Sequence, residues 1–342
     1  MRQYILKRLF LALPTLLGVS LIVFFMVRLI PGDVVQQIAG DNQVTADVRA
    51  RIEHDLGIDK PAFFVTNGDS KFSIKFHKDS QYVDWLKGIV TFDFGTSLRD
   101  RTAIGDRLKN TLPTTLEMSV LAILVSLIIA IPVGMISAMR QDSLIDYVSR
   151  SVAIGFLAVP SFWLGTMIIV YASVWFTKAT PLPQQYQQIW ENPYQNLRFM
   201  LFPFGYFIPV GPAVVLGVSL SGTVMRLMRT QMLEVLRQDY VRTAWAKGLR
   251  ERSVVTRHAV KNALIPVITV VGLQVPIVVG GSVIVESIYN VPGMGQWFFQ
   301  AVGFRDYTSV QTIALLTAVA VIVSNLAVDI AYVYLDPRIR YG

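Results

Sequence analysis

Apolar residues gather in long unbroken runs along this chain, separated by short polar, basic or proline-rich breaks. Six runs are long: Leu9 to Ile30, Leu116 to Met139, Val152 to Phe176, Phe207 to Met228, Leu264 to Val285 and Val310 to Leu335. A bilayer core about 30 Å thick needs roughly 20 apolar residues in a helix rising ~1.5 Å per residue. The pattern predicts an all-α polytopic membrane protein with six transmembrane helices. Basic residues Arg2, Lys7 and Arg8 precede the first run, as in a secretory signal. The apolar core of a signal is only about 7–15 residues long and ends at small residues. This run is longer and ends in Arg28-Leu29-Ile30-Pro31-Gly32-Asp33, so it reads as an uncleaved helix with Pro14 as a kink point.

Lys and Arg are shared unevenly among the connections. Arg140 and Arg150 lie between the second and third runs, nine basic residues lie from Arg226 to Lys261, and Arg338 and Arg340 follow the sixth run. The alternate connections hold Lys178 and Arg198 in one case and Arg305 in the other. Basic short loops stay in the cytoplasm, whereas segments above about 60 residues translocate largely regardless of charge. Both termini are therefore predicted inside, with the long segment 31–113 outside. This also accounts for the net charge of +8 without a nucleic-acid partner. The chain is 53% hydrophobic and 16% charged, and it has no cysteine. That excludes disulfides, thiolate metal sites and cysteine catalysis. His54 and His77 have no carboxylate partners at ligand spacing, so no metal site is expected.

One connection has structure of its own. In "DYVRTAWAKGLRERSVVTRHAVKNALIP", Asp239 to Pro266, Asp239 suits a helix N-cap. Val241, Ala244 and Trp245 then form one apolar face, with Arg242, Thr243 and Lys247 on others. Gly248 is a natural stop. Ser253 is placed to cap a second helix that runs through Arg257, His258 and Lys261 into the fifth span. An apolar stripe too short to span packs on lipid or docks into protein, and the spacing leaves both readings open.

These residues resemble the EAA loop of ABC-transporter permeases, in the branch that handles dipeptides, oligopeptides and nickel. Asp239-Tyr240-Val241-Arg242-Thr243-Ala244-Trp245-Ala246-Lys247-Gly248-Leu249, then His258, Asn262, Ala263 and Pro266, is similar to that branch's "DYxRTAxAKGL…H…RNAxxP". Further motifs follow in order. They are Lys7-Arg8-Leu9 with Pro14, Ile30 to Asp33, Leu56 to Pro61, Phe92 to Ser97, Pro113 to Glu117, Gly272-Leu273-Gln274, Glu286 to Gly295, and Asp336 to Arg340. Val34 stands where the family has proline, and one threonine is added between Pro113 and Leu116.

The resemblance implies a permease subunit of a binding-protein-dependent ABC importer of the type I permease-like fold. Its parts would be an N-terminal transmembrane helix (1–30), an extracytoplasmic segment (31–113) and a five-helix permease core (114–342) with its coupling loop at 229–263. Asp239, Tyr240, Val241, Arg242, Thr243, Ala244, Trp245, Lys247 and Gly248 would couple it to two cytoplasmic ATPases. Trp245 and Val241 would be buried anchors, and Arg242 and Lys247 would steer the dock. The chain has no G-x-x-x-x-G-K-[ST] loop, so ATP and Mg would be bound by those ATPases, with no cofactor in this chain. A second related permease, in a heterodimer, and an external substrate-binding protein would complete the machine in a prokaryotic cytoplasmic (inner) membrane. The cargo would be di- or oligopeptides, with nickel chelates or oligosaccharides as alternatives. A self-sufficient secondary transporter would show internal repeats and intramembrane acids, and neither is evident. No catalytic cluster points to an enzyme.

Other residues keep two readings each. Gly272, Pro276 and Gly280 recur every fourth residue, which suits either a pathway wall or close helix packing. Gln274 is a lone amide that should face inward. Glu117 and Glu286, near outer span ends, are either solvated or contacts for a gate or a peptide amine. Asp329 fits a structural ion pair or a proton relay, and Arg226 and Arg229 fit snorkelling to the surface. In the external segment, helical spacing covers Ala46 to Leu56. Asn67-Gly68 then signals a hairpin turn, and Phe72, Ile74 and Phe76 alternate as a half-buried strand does. The hairpin would cap the external segment or touch the binding protein. The stretch Thr180 to Phe199 reads as a connector, with a lid or a contact for the binding protein as the alternative.

Overall fold

The computed structural model describes residues 2–29, 35, 45–55, 59–62, 65–67, 74–76, 79–175, 186–202 and 210–335. Helices dominate: α1 (Arg2–Leu29), α2 (Ala46–Asp55), α3 (Gln81–Val90), α4 (Ile104–Met139), α5 (Leu144–Ala158), α6 (Ser161–Trp175), α7 (Pro193–Leu201), α8 (Pro212–Leu236), α9 (Asp239–Ala246), α10 (Glu251–Ser253), α11 (Lys261–Tyr289), α12 (Met294–Gly303) and α13 (Tyr307–Leu335). A π-helical stretch, Val254–Val260, joins α10 to α11. Among the described residues three helical stretches are long and apolar enough to cross a membrane: Ile104–Met139, Glu251–Val275 and Tyr307–Ala327.

The predicted third span is not one rod. It divides into α5 and α6, which bend by 95° at the break. Pro160 is the cause: proline lacks the N–H the ladder needs and pushes its predecessor out of the helical region. Val159 accordingly sits at φ −89°, ψ 117°. The predicted fourth span also differs. Its helix begins at Pro212 and runs on to Leu236, past the expected end at Met228. The stretch read as a connector contains α7, with Asn192 accepting from the Gln195 amide to cap it.

The chain divides into two compact units, one of Met1–Arg8, Thr111–Trp297 and Ala320–Gly342, the other of Leu9–Asn110 and Phe298–Val319. In the second unit, α1 is stitched to α3. Ser20 Oγ lies 2.8 Å from Tyr82 Oη, and buried Phe24 meets the Tyr82 ring edge-on at 5.2 Å. The turn after α3 uses Gly95 at φ +74°, a conformation that suits glycine. It presents Ser97, whose hydroxyl donates to Asp306 at 2.6 Å while the Leu98 amide donates to the other oxygen at 3.1 Å. Strands β1 (Val65–Asn67) and β2 (Ile74–Phe76) pair antiparallel, Val65 opposite Phe76 and Asn67 opposite Ile74. Asn67 is thus a strand residue. Positions 68–73, which connect the strands, lie outside the described residues, as do Phe72 and His77.

The first unit is organised around α8. One cluster of buried residues joins Ala130 of α4, Ala153 of α5, Val224, Met225, Met228 and Met232 of α8, Val241 and Ala244 of α9, Val254 and Val255 of the π turn, and Ala263 of α11. A second joins Met118, Phe199, Met200, Val215, Val278, Val285 and Tyr289. Small residues let these helices approach closely. A Cβ on Gly222 of α8 would lie 2.7 Å from the Ala153 carbonyl oxygen of α5. Close approach of this kind is how apolar helices associate where lipid gives no hydrophobic drive.

Candidate functional site

The loop between α8 and α11 folds as a helix, a stop, and a π-helical re-entry. Gln238, not Asp239, is the N-cap of α9; Asp239 opens the helix as its first acidic residue. A carboxylate there still favours the positive end of the helix dipole, and it lies 3.7 Å from Arg242 one turn on. The stop is at Gly248, φ +75°. The Gly248 amide donates to the Trp245 carbonyl at 2.9 Å and the Leu249 amide reaches back to Ala244 at 3.4 Å, the paired bonds of a Schellman ending. Arg250 takes the next N-cap, so Ser253 is the last residue of α10 and not its cap.

The apolar face of α9 resolves the choice left open above. Val241 (0% exposed) and Ala244 (6%) are buried against α8 and the π turn, so the stripe packs on this protein's own core. Val241 is therefore not available as an anchor for another protein. Trp245 (42% exposed), Tyr240 (43%) and Leu249 (43%) point outward instead. Arg242, Thr243 and Lys247 are exposed beside them. Tyr240 is held by Asn262, whose side-chain amide donates to the Tyr240 hydroxyl at 2.8 Å, tying α9 to the first turn of α11.

Glu286 is neither solvated nor open. It is 0% exposed and accepts from Thr115 at 2.8 Å, Ser282 at 2.9 Å and the Gln296 amide at 2.9 Å. Thr115 in turn accepts from the Met294 amide at 2.8 Å. Together they satisfy the free N–H groups at the start of α12, groups every helix leaves unpaired. A Cβ on Gly293 would collide with the Glu286 carboxylate. The spacing from Glu286 to Gly295 is thus a helix cap built from three segments.

Glu117 is half-buried. Its Oε2 accepts from Asn196 at 3.2 Å and Tyr186 at 3.3 Å, while Oε1 is buried without a partner. Burial pushes the Tyr186 phenol up to about 12, so it stays a donor. Gln274 is buried at 7% exposure, and the Gly272 carbonyl accepts from Ser324 at 3.3 Å, which ties that point of the glycine stripe to α13. Pro276 and Gly280 lie on α11, but their burial, like the side chain of Asp329, lies outside the described residues.

Arg229 does not snorkel. Its Nε and an Nη each donate at 2.7 Å to the two oxygens of Asp146, which is 0% exposed and also accepts from Ser137 at 2.6 Å. Sequence reasoning missed Asp146. The available signal was an acid close to apolar Leu144, Ile145 and Val148, because a carboxylate near membrane depth needs a partner.

This arrangement of helices is the fold of an ABC-importer permease. The chain superposes on a structure of the MetNI methionine ABC transporter in inward-facing conformations with a TM-score of 0.50 at 18% identity, covering 65% of this chain and 93% of that one. It belongs to the binding-protein-dependent transport system inner membrane components: that family's model matches residues 130–341, and its N-terminal companion matches 1–119. The chain is 35% identical to the dipeptide transport system permease protein DppB of Escherichia coli (strain K12), over 100% of this chain and 99% of that protein. It is 37% identical to the di/tripeptide transport system permease protein DppB of Pseudomonas aeruginosa (strain UCBPP-PA14), over 100% and 99%. It is 35% identical to the oligopeptide transport system permease protein AppB of Bacillus subtilis (strain 168), over the full length of both. The chain is a transport subunit and not an enzyme.

Proposed function

We propose that this chain forms half of the translocation pathway of an ATP-driven importer for di- and oligopeptides, and that α9 transmits the motion of separate ATPases to it. The peptide cargo comes from the named relatives, all of them peptide systems. The proposed machine holds this chain, a second related permease, two cytoplasmic ATPases that bind ATP and Mg, and an external binding protein that delivers the peptide. Six spans follow from the lengths of the apolar runs and both termini inside from the basic-loop bias, and the prokaryotic inner membrane is read from the family. The paired strands β1 and β2 then lie outside, available to the binding protein.

One observation carries the coupling role. The inward face of α9 is locked into its own core by Val241 and Ala244, while Tyr240, Trp245 and Leu249 face out among basic residues. Aromatic groups exposed beside positive charge suit an interface anchor better than a solvated loop. A helix rigidly joined to α8 and α11 passes a push on its outer face into the spans. The π turn lies where that push enters α11, and π turns are frequent at functional sites.

The test is Trp245→Asp in the assembled transporter, with the ATPase subunits as co-purification partners. Loss of substrate-stimulated ATPase activity by more than tenfold, with the chain still folded, is expected. Intact assembly and undiminished stimulation would refute the assignment. Peptide cargo is tested separately, by measuring which labelled peptides, nickel chelates or oligosaccharides the reconstituted system accumulates.

A further inference from the structure

Helices α5 and α8 are pinned together at two places. Gly222 packs on Ala153, and Arg229 pairs with Asp146. The pins are seven residues apart on each helix. Between them the inner face of α5 carries only Ser149, too small to fill the gap. The result is a cavity of about 270 Å³ lined by Ser149, Arg150, Ile154, Leu157, Met225 and Arg226, among others.

Its lining is split by chemistry. Arg150 and Arg226 are exposed and supply two positive charges. The Asp146 carboxylate is occupied by Arg229 and Ser137, so it does not cancel them. Ser149 and Thr230 add hydroxyls. Ile154 and Leu157, both exposed, make an apolar run one and two turns further along α5. A hydrophilic ligand would leave that run wet, and a neutral apolar one would leave the Arg226 guanidinium to solvent and Arg150 to solvent and the Tyr147 ring, 5.8 Å away.

We propose that this groove binds one anionic glycerophospholipid, its phosphate between Arg150 and Arg226 and the start of an acyl chain along Ile154 and Leu157. Basic pockets between membrane helices suit anionic headgroups, and arginine matches phosphate oxygens with two parallel donors. The cavity is smaller than a whole lipid, so the remaining chain lies in the bilayer. The site depends on the membrane placement of α5 and α8, and not on peptide as cargo or on α9 as the coupling element. The bound lipid wedges the two helices where Ser149 leaves a gap between their two pins.

The test uses the full chain in its assembled, delipidated transporter, titrated in detergent with dioleoyl-phosphatidylglycerol or dioleoyl-phosphatidylcholine and read by native mass spectrometry. One saturable phosphatidylglycerol per chain is expected, with phosphatidylcholine bound weakly. Each of Arg150→Gln and Arg226→Gln should weaken phosphatidylglycerol about fivefold, since each nearby arginine contributes on that scale. Both residues are exposed, so the variants keep the fold. Ile154→Asp should weaken lipid binding with both arginines intact. Equal retention of both lipids, or a double arginine variant that binds like the parent, would overturn the proposal. Competition by inorganic phosphate as strong as by phosphatidylglycerol would make this an anion site and overturn the lipid assignment. Because the chain has no cysteine, Ile154→Cys gives this subunit a single label site, read on its own mass. Failure of maleimide to reach it in the assembled, lipid-free transporter would assign the groove to a protein interface instead.

Discussion

Glu286 and the outer face of α9 are charged features of one compact unit, and they differ in where their bonds go. Glu286 spends both oxygens on its own chain, holding the start of α12 to α4 and α11. The outer face of α9 leaves Trp245 and Leu249 exposed beside Arg242 and Lys247. A carboxylate at a span end and a basic loop look equally functional in a sequence. The structure separates them by internal satisfaction: a group whose partners are all at home is scaffold, and one whose partners are missing is available to another molecule.

That comparison orders the effects of substitution on folded-state stability, read as thermal unfolding of the purified chain in detergent. Glu286→Ala should have the largest effect. It strands two hydroxyls and a helix-start amide in a buried site, at about 3 kcal/mol or more in total. An unchanged midpoint would mean that Glu286 is a working group after all. Asp146→Ala comes next. Breaking a buried pair costs about 3–5 kcal/mol, reduced here to about 2–3 because Arg229 keeps partial access to the cavity. Replacing both partners, Asp146→Ala with Arg229→Met, should restore part of that loss, since no charge is then left unpaired. Additive losses would argue against the pair.

Gly248→Ala follows, at about 1 kcal/mol, because its φ of +75° disfavours any Cβ although the space around it is open. A shift of several kcal/mol would show that α9 is far less firmly held than its buried face implies. Trp245→Ala should move stability least, by less than about 0.5 kcal/mol, while still impairing ATPase coupling. If it unfolded the chain instead, the outer face of α9 would be core and the contrast with Glu286 would collapse.

Much of this was legible in the chain. The apolar runs place helices where α1, α4, α8, α11 and α13 lie, because a span must satisfy its own backbone and length alone reveals it. The glycine stop of α9 was equally plain, since a positive φ is a local matter. Reading Val241 as an outward anchor failed for a different reason. An apolar stripe shows that a face is covered, and only the buried cluster it shares with residues of α8 and the π turn shows by what. The bend at Pro160 was written in one residue, yet an apolar run on both sides concealed it.

The sequence by itself determined which segments are apolar helices, which loops are basic, where α9 ends and which family the motifs resemble, because these follow from local composition and spacing. Only the tertiary structure decided that Glu286 caps α12, that Arg229 and Asp146 form one pair, and that α9 turns Val241 inward and Trp245 outward. Those facts join residues far apart in the chain. The paired residues 115 and 286 are linked by no periodicity, and a hydrogen bond between them exists only once the helices that carry them have packed.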